Sequence, residues 1–128
     1  DHRRRKQQVS SMTTRLNIKS ASPAVQVGTL SGGNQQKVVL AKWLSASPDI
    51  LILDQPTAGV DVGTKEEIYL FLRQLAAAGR ALIMISDDPE ELSRVCDRVM
   101  VMQRGRVVRE LDGDFAVSDV LTAVTGEY

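Results

Sequence analysis

Ser31-Gly32-Gly33, inside the stretch Leu30 to Lys37, could offer backbone amides to an anion, and Asp54, seventeen residues after Lys37, could offer a carboxylate to a cation. At a helix N-terminus the first N–H groups lack intrahelical partners, the helix dipole favours negative charge, and a serine hydroxyl adds a donor. Glycines let a phosphate approach the backbone without meeting a Cβ. Taken alone, Ser-Gly-Gly is also a plain capped helix start. Asp54 closes the apolar run Ile50-Leu51-Ile52-Leu53. At the carboxyl end of a parallel strand such a carboxylate can hold Mg²⁺ directly or through water, and taken alone it can equally cap the next turn. The longer stretches, Leu30 to Lys37 and Gln55-Pro56-Thr57-Ala58-Gly59-Val60-Asp61, favour nucleotide phosphate and Mg²⁺.

A phosphate loop of the form G-x-x-x-x-G-K-[ST] does not occur in this sequence. Gly28 and Gly33 have the right separation but are followed by Asn34-Gln35, and Gly63-Thr64-Lys65 reverses the two functional residues. The chain is therefore not expected to cradle a triphosphate in the standard way.

The elements that must position these residues alternate. A polar, basic opening (Asp1 to Gln8) leads into sparse apolar residues Val9, Met12, Leu16 and Ile18 at helical spacing, which predicts a solvated helix. Ser20 to Pro23 punctuates it, and Pro23 to Thr29 reads as an extended loop. Ser31 caps a helix with Val38, Leu40, Ala41, Trp43 and Leu44 on its apolar side, ended near Ser47-Pro48. Ile50 to Leu53 is a buried strand whose unbroken hydrophobicity predicts a parallel sheet covered on both faces. A helix from Val62 or Gly63 to Ala78 turns Ile68, Phe71, Leu72 and Leu75 inward, with Gly79 as its C′ residue. Ala81 to Ile85 is a second strand, and Asp88-Pro89-Glu90-Glu91 opens a short helix. Arg98 to Gln103 and Arg106 to Leu111 flank the hairpin signal Arg104-Gly105, and a last helix near Ser118 to Thr125 stops at Gly126. This order predicts an α/β domain built from right-handed crossovers.

With 128 residues and 43% hydrophobic content the chain can bury one core. Sixteen basic residues balance sixteen acidic ones, which argues against a dedicated nucleic-acid binder; Arg3-Arg4-Arg5-Lys6 reads as a solvated helix face and His2 as a solvated terminal residue. The single cysteine, Cys96, sits among Val95 and Val99 and reads as a buried thiol in a cytosolic protein. No apolar run approaches the ~20 residues of a membrane span.

These segments resemble the C-terminal part of an ABC-transporter nucleotide-binding domain. They look most like the second ATPase half of the tandem ATP-binding subunits of bacterial ribose, galactose and xylose importers. The resemblance runs from about Leu16 to Gly126 and rests on the signature Leu30 to Lys37, the Walker B strand Ile50 to Asp54, the D-loop region through Asp61, Gly59 to Tyr69, and Asp97 to Met102 before Arg104-Gly105. It implies a P-loop NTPase-like α/β fold with a parallel sheet and helices on both faces, incomplete because the Walker A strand is missing. Residues 1–46 would then be the end of a helical subdomain and 47–128 the C-terminal portion of the ATPase core.

Carried over residue by residue, the resemblance puts Ser31, Gly32, Gly33 and Gln35 on ATP held by an opposite nucleotide-binding domain. Asp54 would support Mg²⁺ and Asp61 would signal across the dimer. It implies ATP and Mg²⁺ as cofactors, a second nucleotide-binding domain and a sugar permease as partners, and a cytoplasmic place against the inner face of the membrane. Gln55 stands where the family has a catalytic glutamate, and an amide has no basic oxygen to accept a proton from the attacking water, although it can orient that water. Asp87 stands at the switch histidine position, where an ionised carboxylate repels a γ-phosphate. The isolated chain is expected to be inactive. The alternatives are a non-catalytic module that binds an ATP-loaded partner and a nucleic-acid-linked ABC ATPase. In the family sheet the Walker A strand would lie between 81–85 and 98–103, so these strands are expected to pair directly or to borrow a strand from another copy as a swapped homo-oligomer.

Overall fold

The computed structural model describes residues 1–126, which form two compact units, Asp1–Ile83 and Met84 onward, divided inside a strand. The first unit begins with α1 (His2–Arg15), capped by Asp1, whose carboxylate accepts from the Arg3 N–H at 3.0 Å. α1 contains no buried residue, as its basic, sparsely apolar sequence predicts. Leu16, just beyond it, is buried, and the Arg15 guanidinium lies 5.7 Å from the Phe71 ring centre. The loop expected to be extended contains a short 3-10 turn, Val27–Thr29.

Helix α2 (Gly32–Leu44) follows, then β1 (Ile50–Asp54), α3 (Val62–Ala77) and β2 (Ala81–Ile85). β1 and β2 pair in a parallel two-stranded sheet, the geometry a strand-helix-strand crossover produces. The inward residues of α3 are Ile68, Tyr69, Phe71, Leu72 and Leu75, and Leu40, Leu44, Leu51 and Leu53 are the other elements' buried leucines in this unit besides Leu16. Gly79 reverses the chain after α3 with φ +88°, where a Cβ would strain the backbone. Arg80 then donates to the carbonyls of Ser47 (3.1 Å) and Pro48 (2.7 Å), tying the entry of β1 to the entry of β2.

Burial along β1 alternates: Leu51 and Leu53 are buried, while Ile50 and Ile52 are 61% and 65% exposed. An unbroken apolar run thus has one covered face and one open face among the described residues. Trp43, expected on the inner side of α2, is likewise exposed, because the buried stripe of that helix runs through Gly33, Lys37, Leu40 and Leu44 instead.

The second unit contains α4 (Pro89–Val95), β3 (Arg98–Gln103), β4 (Arg106–Asp112) and α5 (Val117–Thr125). β3 and β4 form an antiparallel hairpin closed by Arg104 and Gly105, both at positive φ (50° and 76°), as a two-residue primed turn requires. Val99 and Val101 of β3, Val95 of α4, and Val120 and Ala123 of α5 are the buried apolar side chains of this unit. Asp88 caps α4 through the N–H groups of Glu90 and Glu91, and Gly126 ends α5 at φ 72°.

Two expectations need correction. β2 and β3 belong to different sheets, so the direct pairing of 81–85 with 98–103 does not occur within the chain. Cys96 is half-buried rather than enclosed, because it is the C-cap of α4, where the chain turns outward into β3. No helix among the described residues is long and apolar enough to cross a membrane.

Candidate functional site at paired helix N-termini

Ser31 enters α2 with extended backbone (ψ 154°), which places its side chain over the first turn. Its Oγ accepts from the Asn34 backbone N–H (3.4 Å) and from Asn34 Nδ2 (2.9 Å). With both bonds received by the oxygen, the hydroxyl proton is left to donate to an outside acceptor. Asn34 is held in turn by its Oδ1, which accepts from the Lys19 N–H at 2.9 Å. The N–H groups of Gly32 and Gly33, at the open end of the helix, have no carbonyl one turn back to bond. This end of α2 thus carries hydrogen-bond donors without an intrahelical acceptor.

Asp61 enters α3 in the same manner. Its carboxylate accepts from the Thr64 N–H (3.0 Å) and the Thr64 hydroxyl (2.7 Å), and these two bonds, the backbone one first, hold its pKa below the ordinary aspartate value. Ser31, Asn34, Asp61, Gly63 and Thr64 line one open cleft of about 330 Å³, together with Lys19, Lys37 and Glu67.

The floor of that cleft is a charged contact. Lys37, only 3% exposed, pairs with the Glu67 carboxylate and donates to the Asn17 carbonyl at 3.2 Å. Asn17 Nδ2 donates back to Glu67 at 3.2 Å. The Lys37 hydrogen bond, more than any other contact, lowers the Glu67 pKa. Gly33 is buried directly against Thr64: a Cβ at position 33 would stand 2.6 Å from Thr64 Cγ2 and 2.9 Å from its Oγ1.

The remaining site residues predicted from sequence lie elsewhere. Asp54 is exposed at the end of β1. Gln55 follows at φ 48°, a left-handed backbone that turns the chain off the strand, and Thr57 beyond it is buried. Gly59 (φ 70°) completes the turn towards Asp61, and its carbonyl lies 3.7 Å from where a Gly32 Cβ would be. Gln35 does not line the cleft; its Nε2 donates to the Leu30 carbonyl at 2.8 Å. Asp87 is exposed in the second unit, in the bend after β2. Among the described residues no group of three or more His, Cys, Asp or Glu could hold a metal ion by itself. A single exposed Asp54 suits Mg²⁺, which commonly takes one or two carboxylates and completes its shell with water and phosphate oxygens.

Sequence reasoning missed Asn34, Lys37, Thr64 and Glu67. A signal existed for two of them. Asn34 stands three residues after Ser31, the reciprocal position of a capping box. Lys37 falls between Gly33 and Leu40 at helical spacing, which puts it on the inward stripe. Thr64 and Glu67 could be paired with their partners only through the packing of α3.

Residues 2–58 match the family described as ABC transporter. The fold agrees with solved cassettes of that family. An ATP-binding cassette of an ABC transporter in its ADP conformation superposes with a TM-score of 0.79 at 25% identity, over 91% of this chain and 45% of that one. A dimeric bacterial ABC transporter cassette gives 0.78 at 26% identity, over 88% and 48%. The chain belongs to the ABC transporter ATP-binding proteins. It is 52% identical over 111 residues to the ribose import ATP-binding protein of Streptococcus agalactiae serotype III (strain NEM316), covering 87% of this chain and 23% of that protein. Over 127 residues it is 45% identical to the ribose import ATP-binding protein of Bacillus subtilis (strain 168), covering 98% and 26%. The chain thus spans about a quarter of the length of these curated relatives.

Proposed function

We propose that the chain is the C-terminal portion of a nucleotide-binding domain in the ATP-binding subunit of an ABC-type carbohydrate importer. In this reading residues 1–46 end a helical subdomain and 47–128 complete the ATPase core. The names of its relatives make ribose the leading substrate class. The observation that carries the reading is the Ser31-capped end of α2: Ser31 lines the cleft with its Oγ taken by Asn34 and its proton left to donate, and the N–H groups of Gly32 and Gly33 beside it have no carbonyl one turn back.

Ser31, Gly32 and Gly33 bind the terminal phosphate of ATP presented by a partner domain, and Gln35 supports the loop through the Leu30 carbonyl. Asp54 holds Mg²⁺ through oxygen ligands, and bound Mg²⁺ supplies charge neutralisation at the phosphates. Asp61, fixed by Thr64, reports the state of that interface to α3. Gln55 orients water without removing its proton, and Asp87 adds negative charge where a donor would help, so this part binds better than it hydrolyses. The second nucleotide-binding domain and a permease at the inner membrane face are the partners.

The test is association with a cassette that carries a G-x-x-x-x-G-K-[ST] loop, followed by light scattering with and without ATP and Mg²⁺. The expected result is a complex that forms only with nucleotide, and no ATP hydrolysis by the chain alone. Nucleotide-independent association, or turnover by the chain alone, would overturn the reading.

A further inference from the structure

We propose that Thr64 and Glu67 of α3 are positioning residues for the anion-receiving end of α2, acting through a two-point clamp with Gly33 and Lys37. The inference rests on the functional reading above only for what the mouth binds; the clamp itself stands on packing. The two contacts fall one turn apart on each helix, Gly33 and Lys37 on α2, Thr64 and Glu67 on α3. Both run in the same chain direction, so the helices start side by side and Ser31 and Asp61 come to line one cleft.

The first point is steric. Gly33 is required because Thr64 occupies the place of its Cβ, with Cγ2 at 2.6 Å and Cβ at 3.0 Å. This differs from the usual reason for a glycine at a phosphate mouth, which is room for the ligand. The second point is electrostatic. Lys37 is 3% exposed, and its contacts converge from α3 and from Asn17 beyond α1: the Glu67 carboxylate and the Asn17 carbonyl. Losing either point lets α2 slide or tilt on α3, and Ser31 loses its place on the cleft without losing its identity.

A compensation experiment separates the two explanations of Gly33. Gly33→Ala should weaken ATP-dependent association by ~10-fold or more and lower the thermal midpoint, as overpacking of a close contact does. Adding Thr64→Gly removes the colliding atoms yet keeps the backbone N–H that Asp61 accepts from. The double variant should recover association to within ~3-fold of Thr64→Gly alone, a coupling expected only of residues in contact. If the double variant stays as weak as Gly33→Ala, the glycine serves the ligand and the clamp is refuted.

The same variants decide the matter if the wild-type chain shows no ATP-dependent association, which would sink the functional reading alone. The thermal midpoint of the double variant should then still lie above that expected from adding the two single effects, and simple additivity would refute the clamp. A second measurement guards against a poorly folded Gly33→Ala. The Glu67 carboxyl carbon, titrated by NMR, should move towards ordinary glutamate behaviour in Gly33→Ala as the helices part; an unchanged titration would count against a shared clamp.

Discussion

α2 and α3 begin in the same cleft and are capped by the same geometry, yet one is capped by a neutral serine and the other by an aspartate. At α3 the Asp61 carboxylate answers the positive end of the helix with a charge of its own, and the Thr64 hydroxyl and N–H complete the arrangement. At α2 the Ser31 oxygen satisfies only Asn34, so the positive end keeps its capacity for an external anion. Side by side, the two caps differ in whether the chain itself supplies a negative charge to the helix end: α3 has one in Asp61, and α2 has only the neutral Ser31.

Exchanging the caps breaks this comparison most sharply. Ser31→Asp retains a good N-cap, so its unfolding free energy should change by less than about 0.5 kcal/mol. The added carboxylate should nevertheless cut ATP-dependent association on the order of 100-fold, the cost of setting like charges together at an interface. Association that survives the change would show that the nucleotide contacts some other surface.

Cutting the link between the helices comes next. Glu67→Leu leaves the nearly buried Lys37 with the Asn17 carbonyl as its remaining partner. Urea unfolding should show a loss of about 2 kcal/mol, below the 3–5 kcal/mol of a fully buried pair because the Glu67 side chain is 41% exposed and water screens it. Lys37→Met should cost less, since it removes the buried charge rather than stranding it. Equal losses in the two variants would mean that the pair contributes little beyond its packing.

The smallest effect belongs to acid titration. Folded-state pKa values of Asp61 and Glu67 both lie below their ordinary ones, so each contributes stability that is complete above the unfolded pKa and is lost as pH falls through the folded value. Stability should therefore decline as pH drops from about 4.5, the ordinary glutamate value, with Asp61 following below 3.8. Asp61→Ser should flatten only the more acidic part of that decline, and Glu67→Gln only the earlier part. A curve unchanged by either substitution would place the acid sensitivity elsewhere.

Much of the architecture was legible in the residues because local physics decides it. Ser31 and Asp88 as caps, Pro89 in the first turn, Gly79 and Gly126 after their helices and the Arg104-Gly105 turn all read correctly, since each depends on backbone preferences a few residues long. The strand ranges followed from composition in the same way. What could not be read was which face of an apolar segment finds a partner. Ile50, Ile52 and Trp43 are as hydrophobic as Leu51, Leu53 and Leu44, yet they lie exposed among the described residues. Nor did the apolar runs of β2 and β3 disclose that they occupy separate sheets.

By itself the sequence determined that a helix would open at Ser31 with unfilled amide donors, that a strand would deliver Asp54 at its end, and that Gln55 and Asp87 would stand where a base and a donor are usual in the family it resembles. Those are properties of residue type and short spacing. Only the tertiary structure decided that α3 would lie against α2, putting Thr64 where a Gly33 side chain would be and Glu67 on Lys37 thirty residues away. Contacts of that separation exist only after the hydrophobic stripes of two helices have found one core, and no pattern within either helix specifies the pairing.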